Sequence, residues 1–216
     1  MKEITIRKKE LISIIQNTKT YKNPKVKLEQ YTIDALCAID IVFFAGIEFN
    51  DIQNKLIFDL GAGTGRLSLS SAFLQPNYII SIDLDIQALF ILIENVRKLQ
   101  LEKLILPICC DVKYIPLNML KLRKKYKITT IMNPPFGVQK AKADRNFLKC
   151  AMSFSDVIYS IHHANKKVQK FIEGFIHKFG WKIDYILPYT MILEKAFTFH
   201  TQKRKEIQVN VYRFIK

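Results

Sequence analysis

Lys55-Leu56-Ile57-Phe58-Asp59-Leu60-Gly61-Ala62-Gly63-Thr64-Gly65 is the stretch that decides the fold. Its apolar half reads as a buried strand over 55–59, and a helix is expected over 65–73. The glycines between them allow a tight turn and a close approach of the backbone to a ligand. The next apolar run, 78–82, ends on Asp83, twenty residues beyond Gly63, the spacing at which an acid in such a unit meets ribose hydroxyls. Asp85 directly precedes a helical pattern over 87–99 and reads as its cap. The loop has no Walker lysine, and its G-x-G-x-G spacing departs from the dinucleotide G-x-G-x-x-G, so the ligand need not carry a pyrophosphate. A glycine-rich loop alone is a weak sign; strand, helix and spaced acid together make a strong one.

Outward from this unit the alternation continues. Strands are expected over 104–109, 128–132 and 157–161, a basic segment fills the chain up to Lys127, and helices are expected over 146–154 and 166–179. This is the pattern of βαβ units on a parallel sheet. The last two strands, 182–187 and 207–214, have no helical pattern between them and are expected to pair antiparallel and close the sheet. Upstream lie an amphipathic helix over 3–17, a basic segment over 18–28 that reads as an exposed linker or arm (Lys19, Lys22, Lys25, Lys27), and a helix over 34–45 ending at Gly46 as its cap. A chain of 216 residues suits one domain over 1–216, with a helical extension over 1–50 on a catalytic core over 51–216.

Composition narrows the partners. Apolar residues make up 49% and charged residues 25%, a globular balance. Lys plus Arg outnumber Asp plus Glu by 34 to 19, a formal charge of +15, which points to a polyanion such as RNA or a ribosomal subunit, although solubility alone can also call for charge. Cys37, Cys109, Cys110 and Cys150 form no C-x-x-C pair, so neither a zinc site nor a disulfide framework is indicated, and they suit a reducing compartment, the cytoplasm. Residues 2–10 are too charged for a signal peptide, and the longest apolar stretch, 35–47, is too short to span a bilayer.

The second informative stretch is Asn133-Pro134-Pro135-Phe136-Gly137, which leaves the 128–132 strand. Its prolines can join neither helix nor sheet, and Asn133, placed before a proline, is pushed out of the helical region. A stiff loop then displays an amide, proline carbonyls and an aromatic ring. Such a set can hold a planar ring bearing an amino group: Asn133 and Pro134 accept its two N–H bonds and Phe136 stacks on its face. Read alone, the same residues could be a turn with Phe136 in the core. Cys110-Asp111-Val112 ends the third strand and forms the other wall of the crevice, where Asp111 either accepts from an adenine amino group or is a plain turn acid.

Together the 59–65 loop, Asp83, Asp111 and the Asn-Pro-Pro-Phe tetrad resemble the class I S-adenosylmethionine-dependent amino-methyltransferases. Leu28-Glu29-Gln30-Tyr31, Met132–Gly137, Ala143-Asp144-Arg145, Tyr159-Ser160-Ile161-His162 and Val211-Tyr212-Arg213-Phe214 resemble the small-subunit rRNA adenine-N6 methyltransferases, the archaeal homologues of methyltransferase-like protein five. The resemblance implies a Rossmann-like α/β fold: a mostly parallel seven-stranded sheet, helices on both faces and an antiparallel C-terminal strand. It implies S-adenosylmethionine held by Gln30, Tyr31, Thr32, Asp59, Gly61, Gly63, Gly65, Leu67, Asp83, Asp111, Val112 and Asn133. It places catalysis on Asn133, Pro134, Pro135 and Phe136, and substrate contacts on Phe136, His162, Lys203 and Arg204. It also implies a small zinc-ribbon activator protein covering the edge by the third strand. The chain departs from the family twice. The threonine of Glu-Gln-Tyr-x-Thr falls on Ile33, with Thr32 one residue early, and the basic charge in 199–205 is displaced by two residues.

The function expected is N6-adenine methylation of RNA, with a protein-glutamine N5 methyltransferase and a catalytically silent RNA-binding or ribosome-assembly module as rivals. The charge disfavours the first rival; the intact tetrad and glycine loop disfavour the second. His162 and His163 follow the 157–161 strand on the crevice rim; substrate contact, a structural hydrogen bond and plain exposure are all open for them. No metal spacing is visible.

Overall fold

The computed structural model describes residues 7–136, 143–194 and 204–216. The chain runs through α1 (Lys8–Gln16), α2 (Ala35–Phe43), β1 (Leu56–Leu60), α3 (Arg66–Ala72), β2 (Tyr78–Asp83), α4 (Ile86–Lys98), β3 (Ile105–Cys109), α5 (Met119–Lys125), β4 (Ile128–Met132), α6 (Ala143–Phe154), β5 (Val157–His163), α7 (Lys166–His177), β6 (Lys182–Glu194) and β7 (Arg204–Ile215). Short 3₁₀ turns at Val26–Leu28 and Val112–Tyr114 and a π turn at Phe44–Glu48 complete it.

The strands form one seven-stranded sheet in the order β3-β2-β1-β4-β5-β7-β6. All neighbours are parallel up to β5; β7 enters antiparallel between β5 and β6. β1 and β4 are buried along their whole length, which is why both read as unbroken apolar runs rather than alternations. One core cluster holds buried residues of α1, α2, α3 and α4, among them Leu11, Ile39, Leu69 and Leu92. The other holds those of α6 and α7, among them Leu148, Ile172 and Ile176, with Leu122 of α5 packed against it. Helices therefore cover both faces, and the crossovers reverse between β1 and β4. That reversal opens a crevice at the carboxyl ends of the strands, where ligands of open α/β sheets bind.

Several expected elements change. Gly46 does not cap α2. The helix continues into the π turn, and a Cβ on Gly46 would lie 2.5 Å from Leu74 Cδ1, so close packing explains this glycine. α2 starts where Asp34 accepts from the Cys37 amide at 2.8 Å, and the other Asp34 oxygen accepts from the Ile192 amide of β6 at 3.1 Å. Behind the π turn, the Tyr159 hydroxyl and Arg213 Nε both donate to Asp51, at 2.6 and 2.9 Å. The basic segment before β4 contains a helix, α5, capped by Asn118 accepting from the Lys121 amide. β5 runs on to His163 because β7 supplies partners for both histidines, Asn210 for His162 and Val209 for His163. Among the described residues no helix is long and apolar enough to cross a membrane.

Candidate active site

The glycine loop builds the floor of the crevice. Gly61 and Ala62 donate backbone N–H bonds to the Ile82 carbonyl at 2.8 and 2.9 Å, tying β1 to β2 just where both strands end. Gly63 N–H donates to Asp83 Oδ2 at 2.8 Å, and Asp85 N–H donates to Asp83 Oδ1 at 2.8 Å. Burial pushes the Asp83 carboxyl above the usual aspartate range, and the amides of Asp85 and Gly63 hold it part-way back. Gly61, Gly63 and Gly65 all have positive φ. A Cβ on Gly61 would sit 3.0 Å from the Phe147 ring, and one on Gly63 2.3 Å from the Tyr21 hydroxyl. The backbone is thus bare where side chains from α6 and from the N-terminal segment face it.

Two of the residues expected to hold the cofactor act locally instead. Asp59 is buried beneath the loop, where its Oδ2 accepts from the Ser68 amide at 3.0 Å and the Ser68 hydroxyl at 2.5 Å. Burial pushes its carboxyl up to about 7 against these bonds. Gly65 starts α3 with φ 94°, and a Cβ there would come 2.1 Å from Leu92 Cδ1 of α4. Gly65→Ala is therefore expected to destabilise the fold through left-handed strain and overpacking, each costing about 1–3 kcal/mol. In thermal melts this corresponds to a loss on the order of 10 °C; an unchanged melting temperature would show that α4 moves aside freely.

The other expected cofactor residues line one pocket of about 230 Å³: Gln30, Tyr31, Thr32, Gly61, Gly63, Leu67, Asp83, Asp111, Val112 and Asn133. Ile33, at the displaced threonine position, lines it too, and its carbonyl accepts from Arg66 Nη1 at 2.9 Å. Asp111 caps the turn after β3, accepting from the Lys113 amide at 2.9 Å. Tyr21, Lys113, Asn146 and Phe147 also line the pocket. Reading the chain alone missed these four. Asn146 and Phe147 stand in the first turns of α6, where an amphipathic pattern shows nothing of what the helix start faces.

The tetrad follows β4 directly. Asn133 and Pro135 face the pocket, and Pro134 is buried. Asn133 Oδ1 is buried and has no hydrogen-bond partner among the described residues. An orphaned acceptor of that kind costs about 1–3 kcal/mol and is rare unless a ligand completes it. Phe136 lies between two rings, 5.6 Å from Tyr31 and 4.2 Å from His163. His163 is thus the histidine brought to the tetrad. His162 points to the opposite face of β5: it is 2% exposed, hydrogen-bonded to Ser160 at 2.7 Å and packed edge-on to Tyr212. Burial pushes its imidazole down to about 3, so it stays neutral within the sheet, and the structure does not bring it to the site. Lys203 lies outside the described residues, as does the Arg204 side chain. Among the described residues no three His, Cys, Asp or Glu side chains are grouped to hold a metal.

Residues 46–154 match the methyltransferase small domain. Over 98% of this chain and 95% of the relative, the sequence is 37% identical to the uncharacterized protein MJ0284 of Methanocaldococcus jannaschii. It is 34% identical to the rRNA N(6)-adenosine-methyltransferase METTL5 of Danio rerio, over 95% of this chain and 97% of that one. The chain belongs to the METTL5 family. A crystal structure of the Pyrococcus horikoshii protein PH1948 superposes with a TM-score of 0.84 at 36% identity, over 97% of this chain and 99% of that one. Asn133 and Pro135 of the tetrad share the walls of one pocket with Gly61 and Gly63 of the glycine loop.

Proposed function

We propose that this protein methylates the N6 amino group of adenine in RNA, with small-subunit rRNA as substrate and S-adenosylmethionine as donor. The observation that carries the reading is the buried, unpartnered Asn133 oxygen beside a glycine-floored pocket. The residues present fit the cofactor. Asp83 offers a carboxylate at the end of β2 for ribose hydroxyls, Gly61 and Gly63 leave bare backbone, and Asp111 stands on the opposite wall.

When bound, S-adenosylmethionine supplies an electrophilic methyl group. Everything else falls to the chain. An adenine amino nitrogen is a poor nucleophile because its lone pair is delocalised into the ring. Asn133 Oδ1 and the Pro134 carbonyl accept its two N–H bonds and so favour a tetrahedral nitrogen with its lone pair turned to the pocket. The prolines hold both acceptors before the base arrives, so catalysis is mostly positioning and electrostatics. Phe136, backed by Tyr31 and His163, replaces a neighbouring base for the unstacked adenine.

The polyanion enters over a basic rim. Lys22, Lys27, Lys113, Lys166 and Lys167 are exposed, and none joins an ion pair among the described residues. Lys27 and Lys113 line the pocket itself, and Lys166 and Lys167 open α7 just beyond β5. Lys19 and Lys25 of the basic segment over 18–28 are instead paired with Glu94 at 3.0 Å and Asp85 at 2.7 Å. At about 0.7–0.9 per phosphate, five contacts would make log affinity fall with log salt at a slope of roughly −3.5 to −4.5. Neutralising Lys113, Lys166 and Lys167 together is expected to remove about 2 from that slope in fluorescence anisotropy titrations. A salt-independent affinity would argue against RNA.

We also propose that a zinc-ribbon activator protein docks on the β3 edge. β3 is an edge strand that exposes Leu106, and Leu84 and Tyr114, which follow β2 and β3, are exposed too, large apolar side chains of the kind an interaction surface uses. The experiment that tests the function transfers labelled methyl from S-adenosylmethionine to isolated small-subunit rRNA or, in parallel, to ribosomal protein. Label in rRNA is expected; label in protein alone would favour a glutamine methyltransferase.

A further inference from the structure

We infer that residues 17–30 form a strap across the cofactor pocket and that Tyr21 is a cofactor-holding residue carried by it. The inference rests on the S-adenosylmethionine reading of the pocket. As sequence, this segment reads as a solvated basic arm. In the structure it is pinned at both ends by polar side chains.

At one end Asn95, fully buried in the last turn of α4, makes a reciprocal pair with Lys19: the Lys19 amide donates to Asn95 Oδ1 at 2.8 Å and Asn95 Nδ2 donates to the Lys19 carbonyl at 3.0 Å. The same Nδ2 reaches the Thr64 carbonyl of the glycine loop at 3.1 Å. One buried amide thus ties strap, helix and loop together. At the other end the Asp85 side chain, which also caps α4 by accepting from the Gln87 amide at 3.1 Å, accepts from Lys25 Nζ and from Gln30 Nε2, each at 2.7 Å. Gln30 Oε1 in turn accepts from the Lys25 amide at 2.8 Å. Burial alone would raise the Asp85 carboxyl, but the bonds from Lys25 and Gln30 hold it below the usual range, so this anchor stays ionised.

Between the anchors Tyr21 turns inward. Its hydroxyl covers the bare backbone of Gly63, and its ring lines the same pocket as Asp83. Burial, with the carboxylates of Asp83, Asp85 and Asp59 nearby, pushes the phenol pKa well up, so the hydroxyl remains a donor. A protonated hydroxyl in the pocket that Asp83 also lines is a donor and acceptor for the ribose end of a nucleoside, the part Asp83 itself would bind. A strap with two anchors also has to lift for a nucleoside to leave from beneath the ring. Tyr21 therefore sets release as well as affinity.

The test uses the full chain with S-adenosylmethionine, with calorimetry for affinity and stopped-flow displacement for release. Tyr21→Phe keeps the ring and removes the hydroxyl, and is expected to weaken binding about 3- to 10-fold, the loss of one hydrogen bond. Tyr21→Ala is expected to speed release about 10-fold or more. Asn95→Ala, which frees one anchor without touching the ligand, is expected to speed release with less effect on the ligand-free melting temperature than a core truncation of similar size. Amide exchange over residues 19–25 should slow when the cofactor is added to the parent. Folded Tyr21→Phe and Tyr21→Ala proteins with parental affinity and release would overturn the inference while leaving the cofactor reading intact. No binding by the parent would overturn both.

Discussion

Asn133→Ala should leave a protein that folds, binds S-adenosylmethionine and transfers methyl groups about 10²–10³-fold more slowly, the usual loss when one transition-state stabiliser is removed. The stability half of this expectation comes from the structure. Asn133 Oδ1 is buried with no partner among the described residues, so without substrate it stands as an unsatisfied acceptor there. Truncating it removes a penalty of about 1–3 kcal/mol, which offsets the packing lost with the side chain. A turn built only for structure would show the reverse: a harmless effect on transfer and a lower melting temperature. Single-turnover methylation, cofactor calorimetry and a thermal melt on one preparation separate the two. A stable, cofactor-binding Asn133→Ala protein with the parental transfer rate would remove Asn133 from the chemistry.

Asp83→Ala should act on the cofactor rather than on the transfer step. Asp83 joins the Gly63 amide to the Asp85 amide, and in the proposed complex it also accepts from ribose hydroxyls. Losing hydrogen bonds to a charged group, worth about 1.5–3 kcal/mol, is expected to weaken cofactor binding about 10- to 100-fold. The pH dependence follows from the raised pKa. A hydroxyl donor prefers the ionised carboxylate, and protonation competes with it. Because burial raises this carboxyl, affinity should begin to fall at a higher pH than an ordinary aspartate would give, and the fall should vanish in Asp83→Asn. The effect on folding has the opposite sign. A carboxyl whose folded pKa lies above its unfolded one favours the native state below the unfolded value, and that contribution is lost as pH rises toward the folded pKa. Asp83→Asn should then be no less stable than the parent at neutral pH. Unchanged affinity in Asp83→Ala would take this residue out of the site.

Much of the fold is legible in the chain because its signals are local. Buried runs such as Leu56–Leu60 and Ile128–Met132 need no partner information to read as strands, and the prolines after β4 stop it wherever they occur. The antiparallel entry of β7 follows from the missing crossover pattern between the last two strands. Features set by tertiary contacts stay hidden. Nothing near Lys19 shows that a buried Asn95, far along the chain, will hold it against the glycine loop. Gly46 reads as a helix stop because its packing against Leu74 has no local trace. The two histidines show how one boundary decides a role. Two further residues of β5 put His162 and His163 on opposite faces of the sheet, and only the second reaches Phe136.

The same limit applies within the site. The spacing of Asp59 and Gly65 fits a cofactor loop, yet Asp59 serves Ser68 beneath the loop and Gly65 makes room for Leu92. The pocket itself is shared by residues that follow β1, β2, β3 and β4, by the start of α6 and by the N-terminal segment, and no spacing rule joins Tyr21 to Phe147.

The most direct measurement incubates the protein with small-subunit rRNA and S-adenosylmethionine carrying an isotopic methyl label, digests the RNA to nucleosides and resolves them by mass spectrometry. The expected result is the label in N6-methyladenosine, absent from the Asn133→Ala reaction. Label in another nucleoside, in protein alone, or in neither would contradict the assignment of an adenine-N6 methyltransferase.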